Sequence, residues 1–455
     1  MSITITQFPT SPNMANNNLV YEAVSTNVGQ SQFQFVMDIY ESGSASFVQR
    51  IKQQPNPSSK GVFDVGQIMI QYLGDDLPFT TAGFTTSSFT MGGFEARFGE
   101  EYGTSPSSSV IMYNGIGPTP GEPAREASKY YWNVNGLVDY PNAINWNFDS
   151  GSHLDMELAS TPGVFNYQNV LTNASITQSV NDGEYLTLAL FNGNFMYPAS
   201  EDVAQDIFYV QIQWFNSAGS VIQTDNFTNI VSNGGAPRTN PPELWSDAGV
   251  YDGQTAGSRL LHIGLGPQNL TDFGITPPSG WAYYDVEIMA QGDDGLENND
   301  GVWASMRFTK STGECSYNGV RFAWKNEYGV WDYYTFALQS DKATTIERQS
   351  YDNTFVNFSN GSNSVPYDKQ RRGATQFYNA LTQRRTANSQ WLTQQQSDWL
   401  TELFYSSNVY IQNELTWEPV VITSGELVEK TNPRTQKNFQ YQIEFQPANQ
   451  PRPRQ

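Results

Sequence analysis

Carboxylate side chains crowd one short acidic segment, QGDDGLENNDG at residues 291–301. The segment carries Asp293, Asp294, Glu297 and Asp300 among amides and glycines. Clustered oxygen ligands of this kind suit Ca²⁺, although the spacing differs from that of an EF-hand loop. Acidic turns between strands are also common in β-proteins. The segment is therefore a weak calcium candidate and otherwise a solvated turn.

Residues suited to nucleophilic or acid–base chemistry are few, since the chain has two histidines and one cysteine. His262 lies in the predicted strand RLLHIGLG and is expected in the core, whereas His153 is expected in an exposed turn among carboxylates. Cys315 has no histidine nearby in the sequence to activate it as a nucleophile. Spacing singles out no carboxylate pair of the kind a glycosidase needs. We therefore predict no catalytic residues, no cofactor and no enzymatic activity.

The aromatic segment VRFAWKNEYGVWDYYTF, residues 320–336, raises the possibility of a ligand platform. It divides into two apolar runs around KNEYG, and Phe322 with Trp324 falls on one face at a period of two. This pattern predicts a β-hairpin with an aromatic core face. Trp331 and Tyr333 fall on the opposite face, where we expect them to be exposed and available to a partner.

Charge is distributed unevenly along the chain, whose net charge is −21. Residues 1–300 hold 8 Lys and Arg against 31 Asp and Glu, a net −23, while residues 301–455 hold 16 against 14, a net +2. An acidic surface repels phosphate backbones, so we expect that residues 1–300 do not bind nucleic acid. One group of basic residues is the candidate contact for phosphate: Lys369, Arg371, Arg372, Arg384 and Arg385. Alternatively, this group is an ordinary patch that faces solvent or another subunit.

Composition indicates a mostly β protein. Aromatic residues make up 14% of the chain, which favours strands, and charged residues only 15%. No apolar run reaches the roughly 18 residues that a membrane span needs. The first residues lack the basic and apolar regions of a secretory signal, and a single cysteine excludes an internal disulfide framework. We expect a soluble protein that is made in the cytoplasm and has no contact with membranes.

Local patterns predict individual elements. Phe33, Phe35, Met37 and Ile39 alternate with other residues and form one face of a strand. FYVQIQWFNSAGSVIQT has the form of a hairpin with a turn at residues 216–219.

Near the C-terminus, the segment NSQWLTQQQSDWLTELFYSS has the pattern of an amphipathic helix. Its apolar stripe consists of Trp399, Leu400, Leu403 and Phe404. Thr393 and Gln396 have the spacing of a capping box at its start.

The predicted fold is mainly β: tandem antiparallel β-sandwich domains, of jelly-roll or immunoglobulin-like type, with a small C-terminal α+β module. The predicted divisions are an N-terminal arm at 1–20, a sandwich at 21–128, a second sandwich at 129–340, a helix with antiparallel strands at 341–446 and a flexible tail at 447–455.

Several segments together resemble virion structural proteins of tailed bacteriophages, notably those of crAss-like and related phages. They are FQFVMDIYESG, RIKQQPNP, GVFDVGQIMIQYL, GSRLLHIGLGPQNL, VRFAWKNEYGVWDYYTF, ERQSY, WLTELFYSSNVYIQ, WEPVVITSGELVEKT and NFQYQIEFQPANQ. They are spread over the length of the chain and carry no catalytic motif. The resemblance implies a tail, neck or collar component that forms homo-oligomers in the virion, assembled in the host cytoplasm alongside other virion proteins.

Two alternatives remain open from the residues. One is a tail-associated protein that binds a carbohydrate or receptor on the host surface, with Trp and Tyr stacking on the glycan. The other is a polysaccharide-degrading tail enzyme. For the structural role, the charge asymmetry suggests a hypothesis, in which the acidic region of one subunit faces the C-terminal part of its neighbour. Salt should then weaken assembly.

Overall fold

The computed structural model describes residues 3–7, 9, 13–41, 46–103, 111–113, 131–137, 170–191, 206–229, 260–291, 301–311, 319–352, 373–424 and 440–449. The chain divides into two compact units. The first unit comprises Met1–Ser311 with Lys325–Asp332, and the second comprises Thr312–Trp324 with Tyr333–Gln455.

The fold is mainly β, as predicted. In chain order the strands are β1 (Ile3–Gln7), β2 (Asn13–Met14), β3 (Val20–Ser25), β4 (Gln34–Glu41), β5 (Phe47–Gln53), β6 (Lys60–Asp64), β7 (Phe84–Thr86), β8 (Met91–Glu101), β9 (Ile111–Tyr113), β10 (Tyr131–Val134), β11 (Thr177–Val180), β12 (Thr187–Phe191), β13 (Asp206–Phe215), β14 (Val221–Thr228), β15 (Leu260–Gly264), β16 (Tyr283–Gln291), β17 (Gly301–Lys310), β18 (Val320–Lys325), β19 (Trp331–Phe336), β20 (Asp341–Asp352), β21 (Ala374–Asn388), β22 (Val409–Asn413), β23 (Thr416–Ile422) and β24 (Gln442–Pro447).

The helices within the described ranges are few and short. They are α1 (Gly66–Met69), α2 (Pro267–Phe273) and α3 (Gln394–Tyr405), with a 3₁₀ turn at Ile70–Tyr72. None of the described helices is long and apolar enough to cross a membrane.

Two sheets of the first unit pack together as a β-sandwich. One has the order β1-β3-β6 and the other β2-β10-β8-β4-β5, with β9 beside β8. The predicted apolar row of β4 lies in their shared core, where Phe35, Met37 and Ile39 are buried. Ile3 and Ile5 of β1 lie in the same core. Within the predicted N-terminal arm, β1 is therefore an edge strand of the sandwich, because its alternating isoleucines bury one face of the sheet.

A second pair of sheets in the first unit forms another sandwich. The orders are β11-β17-β16-β13-β14 and β12-β15-β7. The Tyr284 hydroxyl on β16 donates to the Leu265 carbonyl just after β15, at 2.9 Å. Phe227 of β14 packs against Phe84 of β7, with ring centroids 5.4 Å apart. These contacts join the two layers.

Strands from one side of the predicted division after residue 128 pair with strands from the other side. β7 precedes that division but pairs with β15 in the second sandwich. β10 follows it but pairs with β8 in the first sandwich. The two sandwiches therefore share one compact unit, because hydrogen bonds join strands from both sides of the predicted boundary.

The predicted hairpin near residue 216 is confirmed. β13 and β14 pair antiparallel, with Trp214 opposite Gln223. The Asn216 side-chain oxygen accepts from the amides of Ala218 and Ser220, and Gly219 has φ +79°. Asn216 closes the turn with its side chain, while Gly219 supplies the left-handed backbone conformation that a glycine adopts without strain.

The second unit is built on a seven-stranded sheet with the order β19-β18-β22-β23-β24-β21-β20. The predicted C-terminal helix and antiparallel strands are present. Residues 425–439 of this predicted module, which include the segment ELVEKT, lie outside the described residues. The aromatic hairpin supplies β18 and β19 to the same sheet. The predicted division after residue 340 therefore separates strands that the structure joins.

Helix α3 begins as predicted. Thr393 is its N-cap, and the Thr393 hydroxyl accepts from the Gln396 amide at 3.3 Å while the Gln396 side chain accepts from the Thr393 amide at 3.1 Å. Trp399, Leu400 and Leu403 are buried on one side. The capping box thus fixes where the helix starts, and the apolar stripe fixes which side faces the sheet.

The cap makes a measurable contribution to stability. Replacing Thr393 with Ala should lower the free energy of unfolding by about 1 kcal/mol, because the Gln396 amide loses its acceptor. Thr393→Ser keeps the hydroxyl and should stay close to the unaltered protein in urea unfolding followed by circular dichroism. Equal losses for both variants would contradict a capping role.

Candidate interaction surface

Six positions that the sequence analysis singled out lie outside the described residues. These positions are Asp293, Asp294, Glu297, Asp300, His153 and Cys315. The calcium site therefore stays a prediction. In the described part of the chain, no group of three or more His, Cys, Asp or Glu side chains is placed to hold a metal ion.

Trp331 and Tyr333, the predicted partner-binding aromatics, are each 4% exposed. Trp331 packs edge-on against Phe79 at 4.8 Å between ring centroids, and its Nε1 donates to the Asp76 carbonyl at 2.6 Å. Tyr333 packs against Trp417 at 5.8 Å. The expectation that both rings face solvent is wrong, because alternation predicts one buried face whereas side chains cover both faces of this hairpin.

The Asp76 carboxylate gathers the backbone that leads into β8. It accepts from the Ser87 hydroxyl at 2.6 Å and from the amides of Ser88, Phe89 and Thr90 at 3.0–3.1 Å. Burial raises the pKa of Asp76, but the hydroxyl and amide donors outweigh burial and leave the pKa below its ordinary value. An ionised carboxylate bonded in this way holds a loop in place.

His262 lies in the core, as expected. It is on β15, opposite Ala189 of β12 and Thr85 of β7, and is 1% exposed. Its Nε2 has no hydrogen-bond partner among the described residues. Burial lowers the pKa of His262 to about 4, against the opposing effect of the Asp76 charge. The imidazole is therefore neutral near neutral pH.

A surface groove of about 410 Å³ in the first unit contains a tryptophan, the residue that most often stacks on sugars. The Trp281 Nε1 donates to Asp182 at 3.1 Å, and Lys310 Nζ lies 4.6 Å from the Trp281 ring centroid. Lys310 also forms an ion pair with Asp182 at 2.5 Å. Trp281 is 5% exposed. Its ring is thus held within the protein and offers no stacking platform.

A long antiparallel pair, Asp341–Asp352 with Ala374–Thr386, stands out from the rest of the second unit, and we call it the ribbon. Strand β24 pairs with β21 only from Arg385 onward. Residues 374–384 therefore pair with β20 alone among the described strands. At roughly 3.3 Å per residue, this stretch extends about 36 Å beyond the pairing with β24.

Among the described residues, no layer packs on strand β20 of the ribbon. All twelve residues of β20 are exposed. Ile346, Tyr351 and Phe377 are 46%, 49% and 49% exposed. The Tyr351 and Phe377 rings are in loose contact, with their centroids 6.0 Å apart. Among the described strands, β20 is also an edge strand of its sheet. Two strands with open faces and an open edge are marginally stable alone in water.

Hydropathy alternation does not reveal the ribbon. Its strands, DKATTIERQSYD and ATQFYNALTQRRTAN, mix polar and apolar residues on both faces. The available signal was their content of Thr, Tyr and Phe, which favour strands. Of the predicted basic group, Arg384 and Arg385 lie on β21, while Lys369, Arg371 and Arg372 fall outside the described residues.

Comparison with protein-family models and with curated protein sequences gives no match for this chain. The ribbon, which has exposed residues along all of β20 and an open edge, is therefore the feature on which a function can be based.

Acid should destabilise the chain through His262. The unfolded histidine takes up a proton near pH 6.5, whereas the folded one stays neutral down to a pKa of about 4. The unfolded state binds more protons in that window, so the free energy of unfolding falls as the pH falls from 6.5 to 4. The full shift corresponds to about 3 kcal/mol.

Urea unfolding across this pH range, in the unaltered chain and in His262→Gln, measures that contribution. The variant should lose much of the slope between pH 6.5 and 4, because glutamine does not titrate. Parallel profiles for the two proteins would show that His262 is not the group responsible.

Proposed function

We propose that this chain is a structural component of a tailed-bacteriophage virion, a tail, neck or collar subunit. It acts by assembling with copies of itself and with other virion proteins in the host cytoplasm, and it remains in the virion. The resemblance of segments along the chain to virion proteins of crAss-like and related phages supports the viral assignment.

The ribbon is the observation that carries the proposal. Ordering a residue costs on the order of 1–2 kcal/mol of backbone entropy, which burial normally offsets. Strand β20 of the ribbon buries little against the described residues, since all of its residues are exposed. Packing against another subunit supplies the missing burial and covers the open edge of β20. A projecting strand pair of this kind suits a protein that works inside an assembly.

The other chemically distinctive groups are engaged within the chain, which favours a structural role. The Asp76 carboxylate is bonded to a loop, His262 is neutral and buried, and Trp281 is covered by Lys310. These three groups have the side-chain types most often used for acid–base catalysis or for sugar stacking. Here the Asp76 carboxylate and Trp281 make contacts within the fold, and the His262 imidazole is buried away from solvent.

Native mass tests the proposal. The purified chain, measured by light scattering from about 1 to 100 μM and imaged in negative stain, should form a closed oligomer of more than a few subunits. Rings form when one face of a subunit meets a different face of the next. A chain that stays monomeric over the whole range would overturn the homo-oligomeric role, and glycan screening would then test the receptor-binding alternative.

Hydrogen exchange tests the part assigned to the ribbon. Amides of β20 should exchange quickly in dilute, dissociated protein and become protected on assembly, because the open edge and faces are then covered. The buried strand β16 serves as an internal reference, whose protection should change little. Equal exchange of the ribbon in both states would count against its role in assembly.

A further inference from the structure

One face of the ribbon combines cations with an apolar centre. Residues that pair across an antiparallel ladder share a face, and the register pairs Lys342 with Arg385, Ile346 with Leu381, and Arg348 with Asn379. These pairs lie at alternate positions along β20, so they project to one side. We call Lys342, Ile346, Arg348, Leu381 and Arg385 the basic ribbon face. From Lys342 to Arg348 it carries no carboxylate.

The opposite face of the ribbon has charges of both signs. There Ala343 pairs with Arg384, Glu347 pairs with Ala380, and Asp341 pairs with Thr386. The difference between the two faces therefore does not follow from general basicity of the segment. It arises from the order of residues along each strand.

Cations in the two units have different partners. In the described part of the first unit, all seven Lys and Arg side chains form ion pairs with carboxylates: Arg50, Lys52, Lys60, Arg97, Arg307, Lys310 and Lys325. Within the described residues, the ribbon cations Lys342, Arg348, Arg384 and Arg385 form no such pair. The ribbon thus presents positive charge that its own described surroundings leave uncompensated.

We infer that the basic ribbon face docks on the acidic N-terminal part of a second copy of this chain. This inference rests on the proposed function and names the surface that carries out the assembly. Residues 1–300 have a net charge of −23, so another copy brings carboxylates in excess of its own cations. Ile346 and Leu381 lie between the cations and supply the apolar centre that stable interfaces have, with the charges at the rim.

The contact is heterologous, because a basic ribbon and an acidic body are different surfaces of one subunit. Such contacts leave one ribbon and one acceptor free on every growing assembly until a ring closes. Rim charges of this kind mainly accelerate encounter and fix which surfaces meet. At physiological salt, interactions between exposed charges are largely screened beyond about 8 Å, and added salt weakens them further.

A pair of single substitutions on the full-length chain tests the face. Arg348→Glu reverses a charge on the basic ribbon face, and Arg384→Glu reverses the same residue type on the opposite face. Both arginines are exposed on the same ribbon. Arg348→Glu should raise the concentration for half-assembly by about tenfold or more, whereas Arg384→Glu should change it by about twofold or less. Near-ultraviolet circular dichroism verifies that both variants fold.

Ile346→Ser tests the apolar centre without altering charge. It should also raise the concentration for half-assembly, and its effect should persist at high salt because burial is not screened. The difference in the concentration for half-assembly between Arg348→Glu and the unaltered chain should instead become smaller as salt rises, because salt screens the charge interactions of the unaltered chain.

Mixing tests whether the contact joins two different surfaces. Arg348→Glu subunits keep their acidic acceptor surface, so they should bind ribbons of unaltered subunits and lower the mean oligomer size when added in substoichiometric amounts. Unaltered assembly in the presence of the variant would overturn the heterologous arrangement.

The outcomes separate this inference from the proposed function. If the unaltered chain assembles and neither Arg348→Glu nor Ile346→Ser changes it, the ribbon inference fails and the assembly role stands. If the unaltered chain remains monomeric, both fail. If it binds duplex DNA, and Arg348→Glu abolishes binding while Arg384→Glu preserves it, phosphate is the partner and the inference about a second copy is overturned.

Discussion

The aromatic cluster around Phe322 is the contact on which the second unit depends. Phe322 packs against Phe336 at 5.2 Å and against Phe445 at 5.0 Å, and all three rings are fully buried. Trp324 packs against Trp399 of α3 at 5.0 Å. These rings hold the sheet and helix together, and β24 in turn aligns the first residues of the ribbon. A projecting ribbon needs such a rigid base, because it has no core of its own.

The same physical rule separates the two ends of β21. At Arg385 and Thr386 the strand pairs with a neighbour on each side, and the next residue, Ala387, is fully buried. Toward Ala374 it has only β20 beside it, and exposed rings such as Phe377 find one aromatic neighbour. One strand therefore changes from a part of the protein interior to a surface offered to other molecules. Burial stabilises the end of β21 near Asn388, and we propose that assembly stabilises the end near Ala374.

Charge has different roles in the two units. In the first unit, pairs such as Arg50–Asp38 and Arg307–Asp285 place a cation against a carboxylate on the adjacent strand, so the charges help to fix register. The ribbon cations have no such local task within the described residues. Among the described residues, the cations of the first unit are paired with carboxylates and those of the ribbon are not, which gives the chain a built-in polarity. That polarity suits directional assembly of identical subunits.

The sequence by itself determined the elements whose signals are local. Alternation identified β4 and the β13–β14 hairpin, and Thr393 with Gln396 identified the start of α3. Tertiary structure decided what depends on distant partners. Trp331 was expected to face solvent, yet Phe79 and the Asp76 carbonyl cover it. The ribbon has no wholly apolar face from which its strands could be predicted. Strands β7 and β10 pair with strands from the other side of a predicted domain boundary. The reason is that a period of two shows which residues share a face, while only packing and strand pairing decide what covers that face.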